Sequence, residues 1–163
     1  MTINTGAGIG ALPLTSSSLQ HIRLAGWRDQ VRVCRMECAC FGWERLLFGL
    51  WPRTGSRGVS TWVAEVEGRP AGYLISYARE LNGRPVWYVG GVGVLKLYRC
   101  CGIATRLMQA VFRQHPTLWL HVRASNRPAL ALYEKLGMRE MQRLKRFYSN
   151  GDDAAVMITP DLQ

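Results

Sequence analysis

Carboxylates are scarce in this sequence, and lysine is scarcer still. Of 163 residues, 11 are Asp or Glu against 21 Lys or Arg, a formal charge of +10. Only Lys96, Lys135 and Lys145 are lysines; the other cations are arginines. A surplus of this sign permits a nucleic acid, an anionic cofactor or an acidic substrate and chooses none of them. No uninterrupted apolar run approaches the roughly 18 residues of a membrane span, so no membrane partner is expected. The opening Met1 to Gly10 lacks the basic region of a secretory signal, and the expected location is cytoplasmic. The five cysteines are odd in number and do not outline a disulfide scaffold. Cys34, Cys38 and Cys40 have no second thiol or histidine pair at zinc-finger spacing, so no metal site is expected.

What is present fits one folded domain. Apolar residues make up 48% of the chain, ordinary for a globular protein. Residues 1–19, rich in Gly, Thr and Ser, read as a flexible tail, and 20–163 as the domain. A short strand is expected at Gln20 to Leu24. The stripe Val31, Cys34, Cys38 and Phe41 predicts a helix over Arg28 to Phe41, with a second helical piece over Trp43 to Leu50. The period then falls to two. Strands are expected at Thr61 to Val66, Ala71 to Ala78 and Val86 to Leu97, with turns at Gly68 to Pro70 and Asn82-Gly83. Gly90, Gly91 and Gly93 interrupt the third strand and predict a bulge or a close backbone approach. A helix from Ile103 to before Pro116, a strand Thr117 to Val122 and a helix Pro128 to Leu136 stopped by Gly137 follow. Strands at 139–148 and 154–159 close the chain. The fold class is α+β: one mixed, mostly antiparallel sheet flanked by helices.

The most informative stretch is the strand–glycine loop–helix unit from Val89 to Val111. Backbone N–H groups at a helix start form an anion cradle, and the helix dipole adds favourable potential. Gly102 permits the turn, Ala104 keeps the approach close, and Arg99 adds charge. A pyrophosphate suits this site; a tight helix start with no ligand is the alternative reading. No Gly-Lys-Ser/Thr follows, so it is not a P-loop. Gly91-x-Gly93 lies inside the strand, so it is not a dinucleotide fingerprint either.

Arg99-x-x-Gly102-x-Ala104, preceded by Val92 to Tyr98, resembles the acetyl-CoA pyrophosphate loop of the GCN5-related N-acetyltransferase (GNAT) superfamily. Downstream, Leu118-Trp119-Leu120-His121-Val122-Arg123-Ala124-Ser125-Asn126 continues into Ala129-x-x-Leu132-Tyr133-x-x-x-Gly137-Met138. Together these most resemble the branch that acetylates the N-terminal alanine of ribosomal proteins. The resemblance implies a single GNAT-like domain whose sheet splays at the acetyl-CoA site. It implies that amides of Cys100, Cys101, Gly102, Ile103, Ala104 and Thr105, with Arg99, hold the pyrophosphate. Val92, Gly93 and Val94 would pair with the pantetheine arm as an added strand, and Asn126 would hydrogen-bond that arm. Tyr133 takes the place of the general acid toward the leaving thiolate; the alternative is a half-buried helix aromatic. Trp43, Phe147 and Tyr148 fall where the family's acceptor walls lie, with packing as the other reading for Trp43 and Phe147.

Two departures stand out. His121 occupies a position often held by glutamate in the resembled branch, so it is either the general base or a structural histidine lining the cleft. Tyr88 to Leu95 holds no acid where many members carry one, and Glu80 is the nearest by strand order. Cys100 and Cys101 replace common loop arginines; inert thiols and reactive ones are both compatible with that. The expected reaction moves an acetyl group from acetyl-CoA to the α-amine of a protein or peptide N-terminus, a ribosomal protein among the candidates. No covalent enzyme intermediate is required. Acetylation of a small amine or lysine, and a catalytically weak CoA binder, are the alternatives. The arginines form no continuous basic helix or reader motif, so no specific nucleic-acid partner is expected. Monomer is the default, with homodimer pairing through terminal strands as the other option.

Overall fold

The computed structural model describes residues 20–42, 57–81 and 83–162. The strands are β1 (Gln20–Leu24), β2 (Val59–Val66), β3 (Arg69–Leu81), β4 (Arg84–Val94), β5 (Leu118–Arg123), β6 (Arg139–Leu144) and β7 (Ala154–Ile158). The α-helices among the described residues are α1 (Gln30–Phe41), α2 (Ile103–Gln114) and α3 (Arg127–Lys135). The strands form one sheet in the order β1-β2-β3-β4-β5-β7-β6. Among the described residues only the β4–β5 pairing is parallel. The mixed, mostly antiparallel sheet expected from the alternation is therefore the one observed. Trp43 and the helical piece expected over Trp43 to Leu50 lie outside the described residues, as do residues 1–19.

Strand alternation sends successive side chains to opposite faces, and β3 shows this directly. Leu74 enters the core that lies beneath α2 and α3 with Leu107, Val111, Leu120 and Tyr133. Tyr73 and Ile75 point the other way and pack with Val33 and Met36 of α1. Helices thus cover both faces. β7 (Ala-Ala-Val-Met-Ile) is buried throughout, as a strand lying between two others and covered on both faces must be.

The largest differences from expectation are in α1, β4 and β6. In α1 the inward face is Val33, Cys34, Met36 and Glu37, while Val31 (57% exposed) and Phe41 (46%) face outward. The stripe through Val31 and Phe41 had the right period and the wrong phase, because buried Glu37 takes a place that pattern reading reserves for apolar residues. β4 stops at Val94, and Lys96–Tyr98 forms a 3-10 turn where the apolar run suggested more strand. β6 stops at Leu144, so Phe147 and Tyr148 lie in the loop after it. That loop turns through Arg146 (φ 51°), which an extended strand does not accommodate.

The glycines of β4 do both things expected of them. Ile75 pairs with Gly91 and Ser76 with Val89, so Gly90 is the extra residue of a β-bulge. A Cβ at Gly90 would lie 2.4 Å from the Tyr77 ring, and one at Gly93 2.5 Å from the Tyr73 ring. The bulge also switches which edge the backbone serves. Trp87 N–H donates toward β5, to Thr117 O at 3.0 Å, whereas Leu95 N–H donates toward β3, to Ala71 O at 2.9 Å. In an unbroken strand residues at this even spacing would face the same neighbour. After the bulge it is therefore Val92 and Val94 whose backbone groups face away from β3. β5 pairs with β4 only at Trp87–Leu118 and Tyr88–Trp119, and beyond them the sheet forks.

Candidate active site

The fork opens a cleft of about 510 Å³. It brings together Val92 of β4, His121 of β5, Asn126 and Tyr133 of α3, and Phe147 and Tyr148 of the β6–β7 loop. These predicted positions, far apart in sequence, share one cavity because β5 and α3 form one wall and β4 the other. A second cavity of equal volume surrounds Trp27, Arg28 and Arg32 and holds none of them.

Beside the fork, α2 begins at Gly102, whose φ of 75° is left-handed. A Cβ there would meet nothing within 4 Å, so glycine is required by conformation and not by space. Cys100 is also left-handed, at φ 62°. The first intrahelical donor to Gly102 O is Arg106 N–H at 3.0 Å. The amides of Ile103, Ala104 and Thr105 therefore precede the helical ladder and have no carbonyl within the helix to serve. The N-cap glycine offers no side-chain acceptor, and the first turn holds no acid. This arrangement fits a pyrophosphate. Arg99 is exposed, and its Nε donates to Val94 O at 3.1 Å, tying the loop to the end of β4. Cys100 is exposed, and the half-buried Cys101 donates from Sγ to Arg99 O at 3.3 Å.

Inside the cleft, Tyr133 is buried, and that burial, with Tyr148 nearby, pushes its pKa up to about 12. The phenol stays protonated and able to donate. Asn126 is the N-cap of α3, its Oδ1 accepting from Ala129 N–H at 3.3 Å. That task occupies the oxygen and leaves the amide NH₂ as its donor toward the cleft. His121 stacks on Phe147 with centroids 4.5 Å apart and planes at 17°. Trp119 and Tyr88 meet its ring edge-on. Burial lowers its pKa below 6.5, so the imidazole is neutral at neutral pH. Its Nδ1 lies 3.4 Å from the Tyr88 hydroxyl. No carboxylate lines the cleft among the described residues; Glu80 is exposed, opposite Pro85 on the outer part of the β3–β4 ribbon.

The profile of the Acetyltransferase (GNAT) family matches residues 27–138. This chain belongs to that family. An N-alpha-acetyltransferase of Sulfolobus acidocaldarius is 30% identical over 154 residues, 86% of the GNAT chain and 92% of the relative. One from Sulfurisphaera tokodaii is 36% identical over 112 residues, covering 60% and 67% respectively. The ribosomal-protein-S18-alanine N-acetyltransferase of Escherichia coli has the same fold, with a TM-score of 0.74 at 24% identity over 87% of this chain and 94% of that one. As a GNAT acetyltransferase the chain uses acetyl-CoA as donor, and the open amides at the start of α2 and the forked edge of β4 fit that molecule's pyrophosphate and arm.

Gly93 and Val94 border the cleft without lining it, and Cys100 to Thr105 form the separate loop next to it. Sequence reasoning passed over Tyr88 and Arg123, both of which line the cavity, as does Phe41 of the expected acceptor wall. Tyr88 had a signal, since it lies in the strand from which acids were missing. Its meeting with His121 depends on the parallel pairing of Tyr88 with Trp119, which no local pattern encodes.

Proposed function

We propose that this GNAT enzyme acetylates the α-amine of a protein or peptide N-terminus. The observation that carries the reading is the weakness of the base. A neutral histidine of lowered pKa, beside a tyrosine hydroxyl and without a carboxylate, suits an amine that needs little help. An α-amine, pKa about 8, costs about 1.4 kcal/mol to deprotonate at pH 7, against about 4.6 kcal/mol for a lysine at about 10.4. The relatives bearing the name N-alpha-acetyltransferase support the same acceptor. Because these relatives are named N-alpha-acetyltransferases while the ribosomal-protein enzyme shares the fold, the acceptor is proposed as an N-terminus in general and not one ribosomal protein.

In this reading the Ile103 to Thr105 amides and Arg99 hold the pyrophosphate, and Val92 and Val94 pair with the arm along the open edge of β4. Asn126 donates to that arm from its NH₂. Acetyl-CoA supplies the thioester that the amine attacks. The Val92 N–H, on the cleft wall opposite His121 and Tyr133, stabilises negative charge developing on the carbonyl oxygen. His121, aided by Tyr88, accepts the amine's proton directly or through one water. Tyr133 donates to the departing sulfur. With its pKa near 12 and a thiol's near 8.5, complete transfer would be uphill by about 5 kcal/mol. Tyr133 therefore acts as a hydrogen-bond donor to the thiolate and keeps its own proton. Phe41, Phe147 and Tyr148 line the acceptor side. Incubation with acetyl-CoA and free or N-terminally blocked peptides tests this: products are expected at the α-amine, and acetylated lysine in the blocked peptides alone would refute it.

A further inference from the structure

Arg123 lies two residues after His121 on β5, so the two side chains share a face. Its Nη1 donates to Asn150 Oδ1 at 2.9 Å and to Asp152 Oδ2. Its guanidinium lies 4.2 Å from the centroid of the Tyr148 ring. One side chain of the sheet thus grips three residues of the β6–β7 loop. The carboxylate it holds is braced in turn, because Asn150 Nδ2 donates to Asp152 Oδ2 at 2.9 Å. Tyr148 meets Phe147 edge-on at 5.2 Å, and Phe147 stacks on His121. Contacts run unbroken from Arg123 through the loop to the imidazole. Phe147 is itself 46% exposed, so core packing does not hold its ring in place. The clamp does.

We infer that Arg123 is a positioning residue: by gripping Asn150, Asp152 and Tyr148 it seats Phe147 over His121 and closes the acceptor wall of the cleft. The inference rests on the proposed role of His121 and extends it to how that imidazole is kept dry. The groups around His121 are Tyr88 of β4, Trp119 of β5, cross-strand Val156 of β7 and Phe147, with Tyr133, Tyr148 and Arg123 along the same cleft. None is a carboxylate, and burial is the cause of its depressed pKa. Loosening the loop readmits water and lets that pKa rise toward 6.5. Acetyl-CoA contacts at α2 and β4 are untouched by the clamp.

The test follows His121 by ring NMR titration in the full chain, alongside acetyl-CoA affinity and peptide KM and kcat. Arg123→Ala should raise the His121 midpoint and increase peptide KM roughly tenfold, with acetyl-CoA affinity within about twofold of the parent. Arg123→Lys, which keeps charge but not the planar grip, should fall between. A folded Arg123→Ala whose His121 midpoint does not move overturns the inference, as does a loss of kcat with KM unchanged. Should Arg123→Ala fail to fold, Asp152→Asn loosens the clamp and Phe147→Ala removes the cover. Both must raise the midpoint, and an unmoved midpoint in either contradicts the clamp. The titration needs no acceptor, so a chain that acetylates no peptide refutes the proposed acceptor while the midpoint still decides the clamp.

Discussion

Gly93→Ala places a methyl group where the structure has no room for one. Its Cβ would lie 2.5 Å from Cε1 of Tyr73 and 3.1 Å from both its Cζ and Cys40 Sγ. Unstrained carbon contacts sit near 3.5–4.0 Å, so roughly 1 Å must be recovered. Tyr73 is fully buried, held among Val33, Met36, Val63 and Ile75, and has nowhere to retreat. The displacement must come from β4 itself, at a cost of about 3 kcal/mol, the upper part of the range for overpacking. Against a total of about 5–15 kcal/mol this is large. Urea unfolding should show a midpoint lowered by about 1–2 M with an unchanged slope. Acetyl-CoA should bind at least about tenfold more weakly, since the open edge of β4 moves with the strand. Tyr73→Leu in the same chain removes the clashing atoms and should recover at least about 1 kcal/mol in a double-mutant cycle. A Gly93→Ala protein within about 0.5 kcal/mol of the parent would refute the close-approach reasoning.

Tyr133→Phe should lower kcat by about a hundredfold while acetyl-CoA affinity, measured by calorimetry, stays within about twofold. Gly102→Ala keeps the space but forces a left-handed alanine, costing about 1 kcal/mol in thermal unfolding and weakening acetyl-CoA binding. Asn126→Ala removes the α3 cap, about 1 kcal/mol, and the proposed donor to the acetyl-CoA arm; stability and affinity should fall together. His115 and His121 both have folded-state pKa values lowered below 6.5 by burial. Below 6.5 the unfolded chain binds more protons than the folded one, so their contribution is full at higher pH and is lost as pH falls through 6.5 toward the folded values. Urea midpoints should decline over that window, and less steeply in His115→Gln.

Much of the fold was legible because it is written in local periods: the change from three to two after α1, the glycines of β4, the glycine that starts α2. Gly90 and Gly93 could be read as a bulge or a close approach because a residue without Cβ weakens a strand unless the backbone must bend there or a neighbour must come close. The phase of α1 was not legible. Buried Glu37 contradicts hydropathy, and Val31 is exposed because the neighbouring Val33 and Met36 take the inward positions. Tyr133, His121 and Asn126, which share the cleft, could be picked out because they lie in one motif on adjacent elements. Tyr88 and Arg123 were missed because each acts across the sheet, through the short β4–β5 pairing and through a loop folded back on β5.

The central claim is acetyl transfer to an α-amine, and mass spectrometry tests it most directly. The full chain is incubated with acetyl-CoA and a pool of peptides with free alanine, serine and methionine starts, blocked peptides bearing internal lysines, and small amines. The account predicts acetylation confined to free α-amines and abolished or nearly so by Tyr133→Phe. Acetylated lysines or small amines with unmodified N-termini, or products undiminished in Tyr133→Phe, would contradict it.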